Sequence, residues 1–402
     1  MKKAASVFLI LLFLLNIVPQ RAQADVLSGD LNLTANAYVV VDESTGAVVA
    51  SKNADVQVSF SNLAQVMTAA LIIENQNLTD MVTVGDLPTA YGNRVMLRSG
   101  EKITMQSLLE AIVVYSASDA AISAANHLGG TTKFLKSMND KAAQLGMSNT
   151  TFTNVYGARE DTQLTTANDM LILAHYVMGL ESYMNLANTP SIQWQGDVRS
   201  NSTLDNTNGF LKVMPEAKGI KMSNDGAGSF DLMTTVTKDG RTLTAVMLGA
   251  SSEDVLYSEM QTLLNTCFSN TKIVPIVAEG TVMAILNYDD VDVRAAAKSG
   301  YSVCMATTNA AVTGYSIHLT KMDRPIKKGD DVGYLDILQD GSVVGNVSLV
   351  AMDDVKGKIN WLLLILGAIS LLYAVQIALR TKRIIARNKN AEPANTNKKM
   401  LP

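Results

Sequence analysis

Two long apolar stretches lie near the ends of the chain. The first runs from Val7 to Val18, follows a pair of lysines, and leads to Ala22-Gln23-Ala24, which has small residues at the two positions that a signal peptidase reads. This pattern predicts a cleaved signal peptide over residues 1–24, with an uncleaved N-terminal anchor as the alternative.

The second stretch runs from Trp361 to Leu379, and Gln376 is its only strongly polar side chain. Its nineteen residues would span roughly 28 Å as a helix, enough to cross a hydrocarbon core of about 30 Å. The aromatic residue at its entry and the basic residues behind it are typical of a membrane-spanning segment with a cytoplasmic C-terminal end. We therefore predict a single-pass anchor over residues 358–380 and a basic cytoplasmic tail over residues 381–402, with the body outside the membrane. A buried core helix is the alternative.

The pattern of the body changes near residue 272. Before it, strand-like and helix-like stretches alternate, and after it short strands follow one another up to Met352. Strands at both ends with helices between them indicate an α/β (α+β) domain over residues 25–271, and the strand-rich part indicates a small all-β sandwich over residues 272–357. The predicted hairpins pair Tyr38–Val41 with Ala47–Ala50 and Phe230–Lys238 with Thr242–Leu248, and the predicted helices are Leu63–Glu74, Ser107–Leu128, Thr131–Leu145, Thr165–Met178 and Val255–Phe268.

Composition narrows the possible functions. The chain carries 33 basic and 37 acidic residues, and basic residues are concentrated at its ends, so the body is acidic. An acidic body lacks the basic face that a nucleic-acid partner needs. Cys267 and Cys304 match no metal-ligand spacing, and whether they pair with each other is open. Three scattered histidines, His127, His175 and His318, argue against a zinc site or a histidine-based triad, and we predict no metal and no cofactor.

Six segments of the body, in order along residues 30–355, resemble the serine-type D-alanyl-D-alanine carboxypeptidases, the low-molecular-weight penicillin-binding proteins. In that family a hairpin with an Asp-x-x-Thr-Gly turn precedes the motif Pro-Ala-Ser-x-x-Lys-x-Met-Thr, which Met67-Thr68 aligns with this chain. The resemblance implies a penicillin-binding or β-lactamase-like domain followed by the family's β-domain. The six segments are Ala37 to Thr68, Ser116 to Gly130, Phe134 to Asn154, Thr165 to Met178, Gly219 to Ala250 and Arg324 to Ala351.

The family's reaction passes through a covalent serine ester, so it needs a nucleophilic hydroxyl and a base that removes its proton. By the resemblance, Asn62 occupies the nucleophile position and Gln65 the base position. An amide nitrogen is a poor nucleophile because its lone pair is delocalised, and glutamine has no basic site near neutral pH. In other serine hydrolases the loss of nucleophile or base costs on the order of 10⁶ in rate.

The other two motifs of the family are also altered. Ser116 matches the relay serine of a Ser-x-Asn motif, but Ser118 replaces its asparagine. Lys221 matches the lysine of a Lys-Thr-Gly motif that binds the substrate carboxylate, but Met222 replaces the threonine and Ser223 the glycine. Ser223 thus adds a Cβ where the family leaves room for the substrate backbone. Five of the seven motif residues differ from the family.

The sequence therefore predicts an exported, membrane-anchored member of this family in the bacterial cell envelope that has lost catalysis. Its predicted partners are peptidoglycan stem peptides, or other cell-envelope proteins that it scaffolds or regulates, and a structural role without ligand is open. In such a protein we expect the Ser116 hydroxyl and the Lys221 ammonium to pair across the former cleft. The alternative is an active carboxypeptidase with an altered site, in which Ser116 or Ser118 is activated by Lys221 with a lowered pKa.

Overall fold

The computed structural model describes residues 25–389 except residues 28, 30, 76, 89–91, 200, 289–290, 310–312, 321–324, 340 and 358–360. The predicted signal peptide, residues 1–24, and the last part of the predicted tail, residues 390–402, lie outside the described residues. The chain divides into two compact units, Met1–Ile276 with Tyr301–Thr313, and Val277–Gly300 with Gly314–Pro402. The predicted domain boundary after residue 271 stays a prediction.

The helices and strands of the described residues are numbered in chain order. The helices are α1 (Ala64–Asn75), α2 (Met105–Tyr115), α3 (Ser118–His127), α4 (Thr131–Leu145), α5 (Ala167–Met178), α6 (Glu181–Ala187), α7 (Phe210–Val213), α8 (Glu253–Asn270) and α9 (Trp361–Lys389). The strands are β1 (Ala37–Asp42), β2 (Val48–Lys52), β3 (Val58–Ser59), β4 (Met81–Thr83), β5 (Lys102–Thr104), β6 (Leu164–Thr165), β7 (Ser191–Trp194), β8 (Ser202–Asp205), β9 (Ala217–Asn224), β10 (Phe230–Lys238), β11 (Arg241–Ala250), β12 (Thr271–Val277), β13 (Val282–Tyr288), β14 (Val291–Ala297), β15 (Tyr301–Ala306), β16 (Thr313–Leu319), β17 (Asp331–Gln339) and β18 (Ser342–Ala351).

The first unit is built on a five-stranded sheet with the strand order β2-β1-β11-β10-β9. β1 pairs antiparallel with β11 and with β2, so both predicted hairpins are confirmed and the two ends of the domain meet in one sheet. Successive side chains of a strand point to opposite faces, and here both faces are buried. Val39 and Val246 face a core shared with α1 to α6, while Tyr38 and Met247 face a second core that contains residues of α7 and α8.

The predicted helical stretch Ser107–Leu128 is helical over most of its length, but the chain forms two helices there. α2 ends at Ser116, which adopts a left-handed conformation with φ 60° and ψ 37°, and α3 starts two residues later. The carboxylate of Asp119, in the first turn of α3, accepts hydrogen bonds from the backbone of Val95 and of Leu97 at 3.1 Å each. Periodicity does not reveal the break because the apolar pattern continues through it, whereas these tertiary contacts hold the new helix start in place.

β9 is an edge strand that the sequence did not predict. It pairs with β10 on one side only, with Lys221 opposite Met233 and Ser223 opposite Asp231. The pairing of β10 with β11 shifts register between Phe230 and Leu232, as expected for a bulge at the residue between them. The edge position matters because it places β9 beside the start of α1.

The second unit contains a five-stranded sheet with the order β13-β14-β18-β17-β16, which confirms the strand-rich pattern up to Met352. Its buried apolar side chains include Val293, Leu335 and Leu349. Among the described residues, α9 is the one helix that is long and apolar enough to cross a membrane by length and composition.

Candidate functional site

The residues at the predicted nucleophile and base positions lie at the start of α1. Asn62 is half-buried in the turn before the helix, and Gln65 is buried in its first turn. The Gln65 side-chain amide donates to the backbone carbonyls of Ser116, at 3.1 Å, and of Tyr156, at 2.9 Å. Its Nε2 is therefore used as a bridge between α1, the end of α2 and the loop at residue 156. Gln65 holds the site together and offers no base.

Both serines of the second altered motif are bonded within the protein. The Ser116 hydroxyl lies 2.8 Å from the Thr207 hydroxyl. The Ser118 hydroxyl donates to the backbone carbonyl of Asn93 at 3.0 Å, and the Asn93 amide in turn donates to the carbonyl of Tyr115 at 2.9 Å. These bonds fix the turn between α2 and α3.

Lys221 lies on β9 with its side chain buried against the end of α2. Its ammonium nitrogen donates to the backbone carbonyls of Ile112 at 2.8 Å and of Val113 at 3.0 Å. The last carbonyls of a helix lack intrahelical partners and carry partial negative charge, so Lys221 satisfies the C-terminal end of α2. Burial lowers the pKa of Lys221 to about 7.

The prediction that the Ser116 hydroxyl pairs with the Lys221 ammonium is wrong. The Ser116 hydroxyl bonds to Thr207, and the Lys221 ammonium bonds to the two carbonyls of α2. Both side chains are thus explained by local structural contacts.

Met222 and Ser223, the altered residues of the third motif, face different surroundings. Met222 is buried in the second core, opposite Leu232 on β10, so its side chain contributes to apolar packing. The Ser223 hydroxyl lies 2.8 Å from the Ser61 hydroxyl, and Ser223 is also opposite Asp231 in the pairing of β9 with β10. Ser61 directly precedes Asn62, so Ser223, at the predicted glycine position, is bonded beside the predicted nucleophile position.

Asp231, on β10, is the neighbour of Ser223 in the sheet. It sits at the bulge of β10, and its Oδ1 accepts a hydrogen bond from the backbone of Gly249 at 2.9 Å. Burial raises the pKa of Asp231 to about 7, and the nearby Asp225 carboxylate acts in the same direction. Ser61 and Ser223 are both fully buried in this conformation.

Three consecutive residues, Ser223, Asn224 and Asp225, contact the turn before α1 and the loop around residue 159. We call these the cross-cleft contacts. Ser223 bonds to Ser61, the Asn62 amide approaches the Asn224 carbonyl at 3.4 Å, and the Arg159 guanidinium forms an ion pair with Asp225. They tie the end of β9 to the start of α1 and to the loop around residue 159.

Asp225 is buried and also organises the turn after β9. Its Oδ1 accepts backbone hydrogen bonds from Ala227 at 2.7 Å and from Ser229 at 2.9 Å. Although burial acts to raise it, these bonds and the Arg159 guanidinium hold the pKa of Asp225 below its usual value. The carboxylate is therefore charged at neutral pH and stabilises the contact.

Sequence reasoning missed the partners that explain the site. Ser61 is adjacent to Asn62 and could have been noticed, and Asp231 would have followed from the register of β9 with β10. Asn93, Thr207 and Arg159 lie in loops whose positions no periodicity predicts. Among the described residues, no group of three or more His, Cys, Asp or Glu side chains is placed to hold a metal ion.

Comparison with known families identifies both parts of the chain. Residues 21–252 match the family described as D-alanyl-D-alanine carboxypeptidase, and residues 272–357 match the C-terminal domain of penicillin-binding protein 5. The chain is 26% identical over 375 residues to D-alanyl-D-alanine carboxypeptidase DacF of Bacillus subtilis, covering 89% of this chain and 95% of DacF. It is also 26% identical over 345 residues to DacC of Escherichia coli, covering 81% and 85% of the two chains.

Solved structures agree with this assignment at the level of the fold. Penicillin-binding protein 5 of Haemophilus influenzae superimposes with a TM-score of 0.68 at 22% identity, over 82% of this chain and 99% of that one. A peptidoglycan synthesis regulatory factor (PBP3) of Streptococcus pneumoniae gives 0.66 at 20% identity, over 81% and 100%. The predicted two-domain fold, with a β-sandwich domain and a C-terminal apolar helix after the α/β domain, is thereby confirmed. The chain belongs to the D-alanyl-D-alanine carboxypeptidase family of peptidoglycan metabolism.

Proposed function

We propose that this protein is a non-catalytic member of its family, which is exported, is anchored by α9 and acts in the cell envelope through binding or scaffolding. The observation that carries the proposal is the hydrogen bonding of the Gln65 side chain. Its amide nitrogen is committed to two backbone carbonyls at the position where the reaction needs a base. Asn62 beside it supplies no hydroxyl.

The cross-cleft contacts support the same conclusion from the side of the substrate. A strand at the edge of a sheet, such as β9, can in principle pair with an extended peptide on its free side. Here the residues from Ser223 to Asp225 are already engaged by Ser61, Asn62 and Arg159. A peptide lying along this end of β9 would have to displace those contacts. This favours scaffolding or regulation of other envelope proteins over tight binding of a stem peptide.

The proposed location rests on the two ends of the chain. α9 has the length and composition of a membrane span, and Arg380, Lys382, Arg383 and Arg387 follow its apolar part. Basic residues after a span favour a cytoplasmic C-terminal end. The body, including the former cleft, would then face the peptidoglycan side.

The test is covalent labelling of the purified full-length protein in detergent with a fluorescent penicillin, alongside an assay of D-alanine release from a pentapeptide ending in D-Ala-D-Ala. DacF of Bacillus subtilis serves as the active control, and a cooperative thermal transition shows that the sample is folded. We expect neither a heat-stable label nor released D-alanine. Either signal, if lost in the Ser116→Ala and Ser118→Ala double variant, would overturn the proposal.

The alternative of an altered but active enzyme draws on one observation. A lysine with a pKa of about 7, such as Lys221, is chemically capable of acting as a base near neutral pH. Its nitrogen, however, donates to Ile112 and Val113, and the Ser116 hydroxyl is bonded to Thr207. If this alternative held, turnover would be abolished by Lys221→Met and would rise with pH through about 7, as the ammonium loses its proton.

Peptide binding is tested separately from catalysis. Calorimetric titration of the protein with the same pentapeptide, and with the stem tripeptide as a matched control, reports non-covalent recognition of the D-Ala-D-Ala end. We expect no difference between the two peptides at millimolar concentration. Preferential binding of the pentapeptide would show that the cross-cleft contacts open and that the protein reads stem peptides.

A further inference from the structure

The two cysteines of the chain lie together in the second core, far along the sequence from each other. Cys267 is in the last turns of α8 and is fully buried, and Cys304 is on β15 with 3% of its surface exposed. Both belong to the same apolar cluster, and both are free thiols in the structure. β15 belongs to the first unit, although the strands on either side of it along the chain belong to the second.

Thr271 shows how close the two cysteines are. Its hydroxyl donates to the backbone carbonyl of Cys267 at 2.6 Å, and it lies near enough to the Cys304 thiol to act on the pKa of that group, which it lowers. Three residues beyond each cysteine, the backbone of Thr307 donates to the carbonyl of Asn270 at 2.8 Å. The end of α8 and the strand β15 are therefore held side by side by bonds that flank the two thiols.

Arg241 supplies a positive charge at the same place. One terminal nitrogen of its guanidinium lies 3.2 Å from the Cys304 sulfur, and the other donates to the Thr271 carbonyl at 3.1 Å. The group is oriented by the buried carboxylate of Asp42, which its Nε contacts at 2.6 Å. A guanidinium beside a sulfur stabilises a thiolate, which is the species that attacks a disulfide.

From this arrangement we infer that Cys267 and Cys304 are a redox-active pair that closes an intramolecular disulfide bond and fastens β15 to α8. The Cys304 thiolate attacks a small external disulfide such as oxidised glutathione, forms a mixed disulfide and releases one glutathione thiolate. The Cys267 thiolate then attacks the Cys304 sulfur and releases the second, and the two cysteine protons pass to the two released thiolates. The external disulfide gains two electrons, and the protein loses them.

The depth of the pair determines how fast the bond forms. Burial raises the pKa of Cys267 to about 12 and raises that of Cys304 as well, although Arg241 acts against this at both sulfurs. Few thiolates are therefore present in the folded state at pH 7, and we expect slow closure there and faster closure at higher pH. The bond would close a loop of roughly 40 residues, which constrains the unfolded chain substantially.

The test uses the full-length protein in detergent, incubated at pH 8.5 in glutathione buffers of increasing oxidation and then denatured and alkylated. Mass spectrometry should show the two free thiols lost together in one step, with a Cys267–Cys304 peptide and no glutathione adduct at the end point. The apparent melting temperature of the oxidised protein should exceed that of the reduced protein by about 5 °C or more. Dithiothreitol should reverse both changes.

Matched controls are Cys304→Ala and Cys267→Ala, which each leave one thiol. Neither should show a gain in melting temperature on oxidation, even if each is less stable than the parent. Arg241→Lys keeps a positive charge but loses the forked contact, and it should slow closure severalfold. Two free thiols in fully oxidising buffer, or a stable glutathione adduct on one cysteine, would overturn the inference.

Discussion

At the scale of single residues, the site shows how side chains without catalytic chemistry have become structural parts. Gln65 joins three backbone segments, Lys221 satisfies the end of α2, and Met222 fills the second core. The alignment of motifs predicts that these positions correspond to the family's catalytic residues, and residue identity alone decides whether a nucleophile or a base is present at each. It did not predict what the substituted side chains do, because their partners lie 50 to 110 positions away along the chain.

The first prediction concerns Gln65. Gln65→Met keeps the size of the side chain but removes both donors, so the carbonyls of Ser116 and Tyr156 lose a partner. We expect the free energy of unfolding to fall by about 2 kcal/mol in urea denaturation. Gln65→Glu places a carboxylate against the same carbonyls and should be more destabilising at pH 8 than at pH 5. A Gln65→Glu protein as stable as the parent at pH 8 would contradict the assigned orientation of the amide.

The second prediction concerns Asp231, whose pKa in the folded protein, about 7, lies above its ordinary value of 3.8. Folding therefore favours the protonated form of Asp231. Its stabilising contribution to the free energy of unfolding is present at low pH and is lost as the pH rises toward 7. Asp231→Asn mimics the protonated form at every pH. The variant should match the parent at pH 4 and exceed it at pH 8 by up to about 4 kcal/mol in free energy of unfolding.

The comparison of Asp231→Asn with the parent at each pH cancels the titration of Lys221, which takes place in the neighbouring range. Asp225→Asn is the matched control, since it removes a carboxylate whose pKa is lowered and should destabilise the protein at pH 8. Equal pH profiles for the parent and Asp231→Asn would show that Asp231 is ionised throughout.

At the scale of secondary structure elements, the break between α2 and α3 is the feature that organises the site. It directs the carbonyl of Ser116 toward the side-chain amide of Gln65. It also brings the hydroxyl of Ser118 within hydrogen-bond distance of the Asn93 carbonyl. Apolar periodicity predicted the helices but not their division, since a left-handed residue leaves no trace in a hydrophobic pattern. The same reasoning explains the missed strand β9, whose buried Lys221 and Ser223 interrupt the alternation that identifies strands.

The third prediction tests the left-handed residue at this break. Ser116→Gly and Ser116→Ala both lose the hydroxyl bond to Thr207, but only glycine adopts φ 60° without a Cβ penalty. We expect Ser116→Gly to be more stable than Ser116→Ala by about 1 kcal/mol in the same denaturation assay. The reverse order would mean that residue 116 leaves the left-handed conformation once its hydroxyl bond is removed.

At the scale of the whole molecule, the order of segments predicted the two-domain fold, because a long run of short strands after an α/β pattern has few other interpretations. The sequence could not predict that β15 belongs to the first unit, because the pattern of a single strand does not indicate which sheet or core the strand joins. The apolar composition of residues 361–379 predicted α9, which the structure extends to Lys389.

The fourth prediction concerns α9. A chain ending at residue 357 should appear in the soluble fraction after export, whereas the full-length protein should remain with membranes washed in alkaline carbonate. An epitope tag placed after Pro402 should resist external protease in intact spheroplasts and become sensitive after lysis. Extraction of the full-length protein by carbonate would contradict a membrane span, and cleavage of the tag from outside would contradict the proposed topology.

The cross-cleft contacts also bear on the history of the protein. Serine at position 62 alone would face a glutamine that cannot take its proton, and lysine at position 65 would enter a site arranged around an amide. Glycine at position 223 would remove the hydroxyl to which the Ser61 hydroxyl is bonded. On the proposed function, each single substitution back toward the family's motifs would cost stability and restore no activity. The altered site would therefore resist reversion by single substitutions.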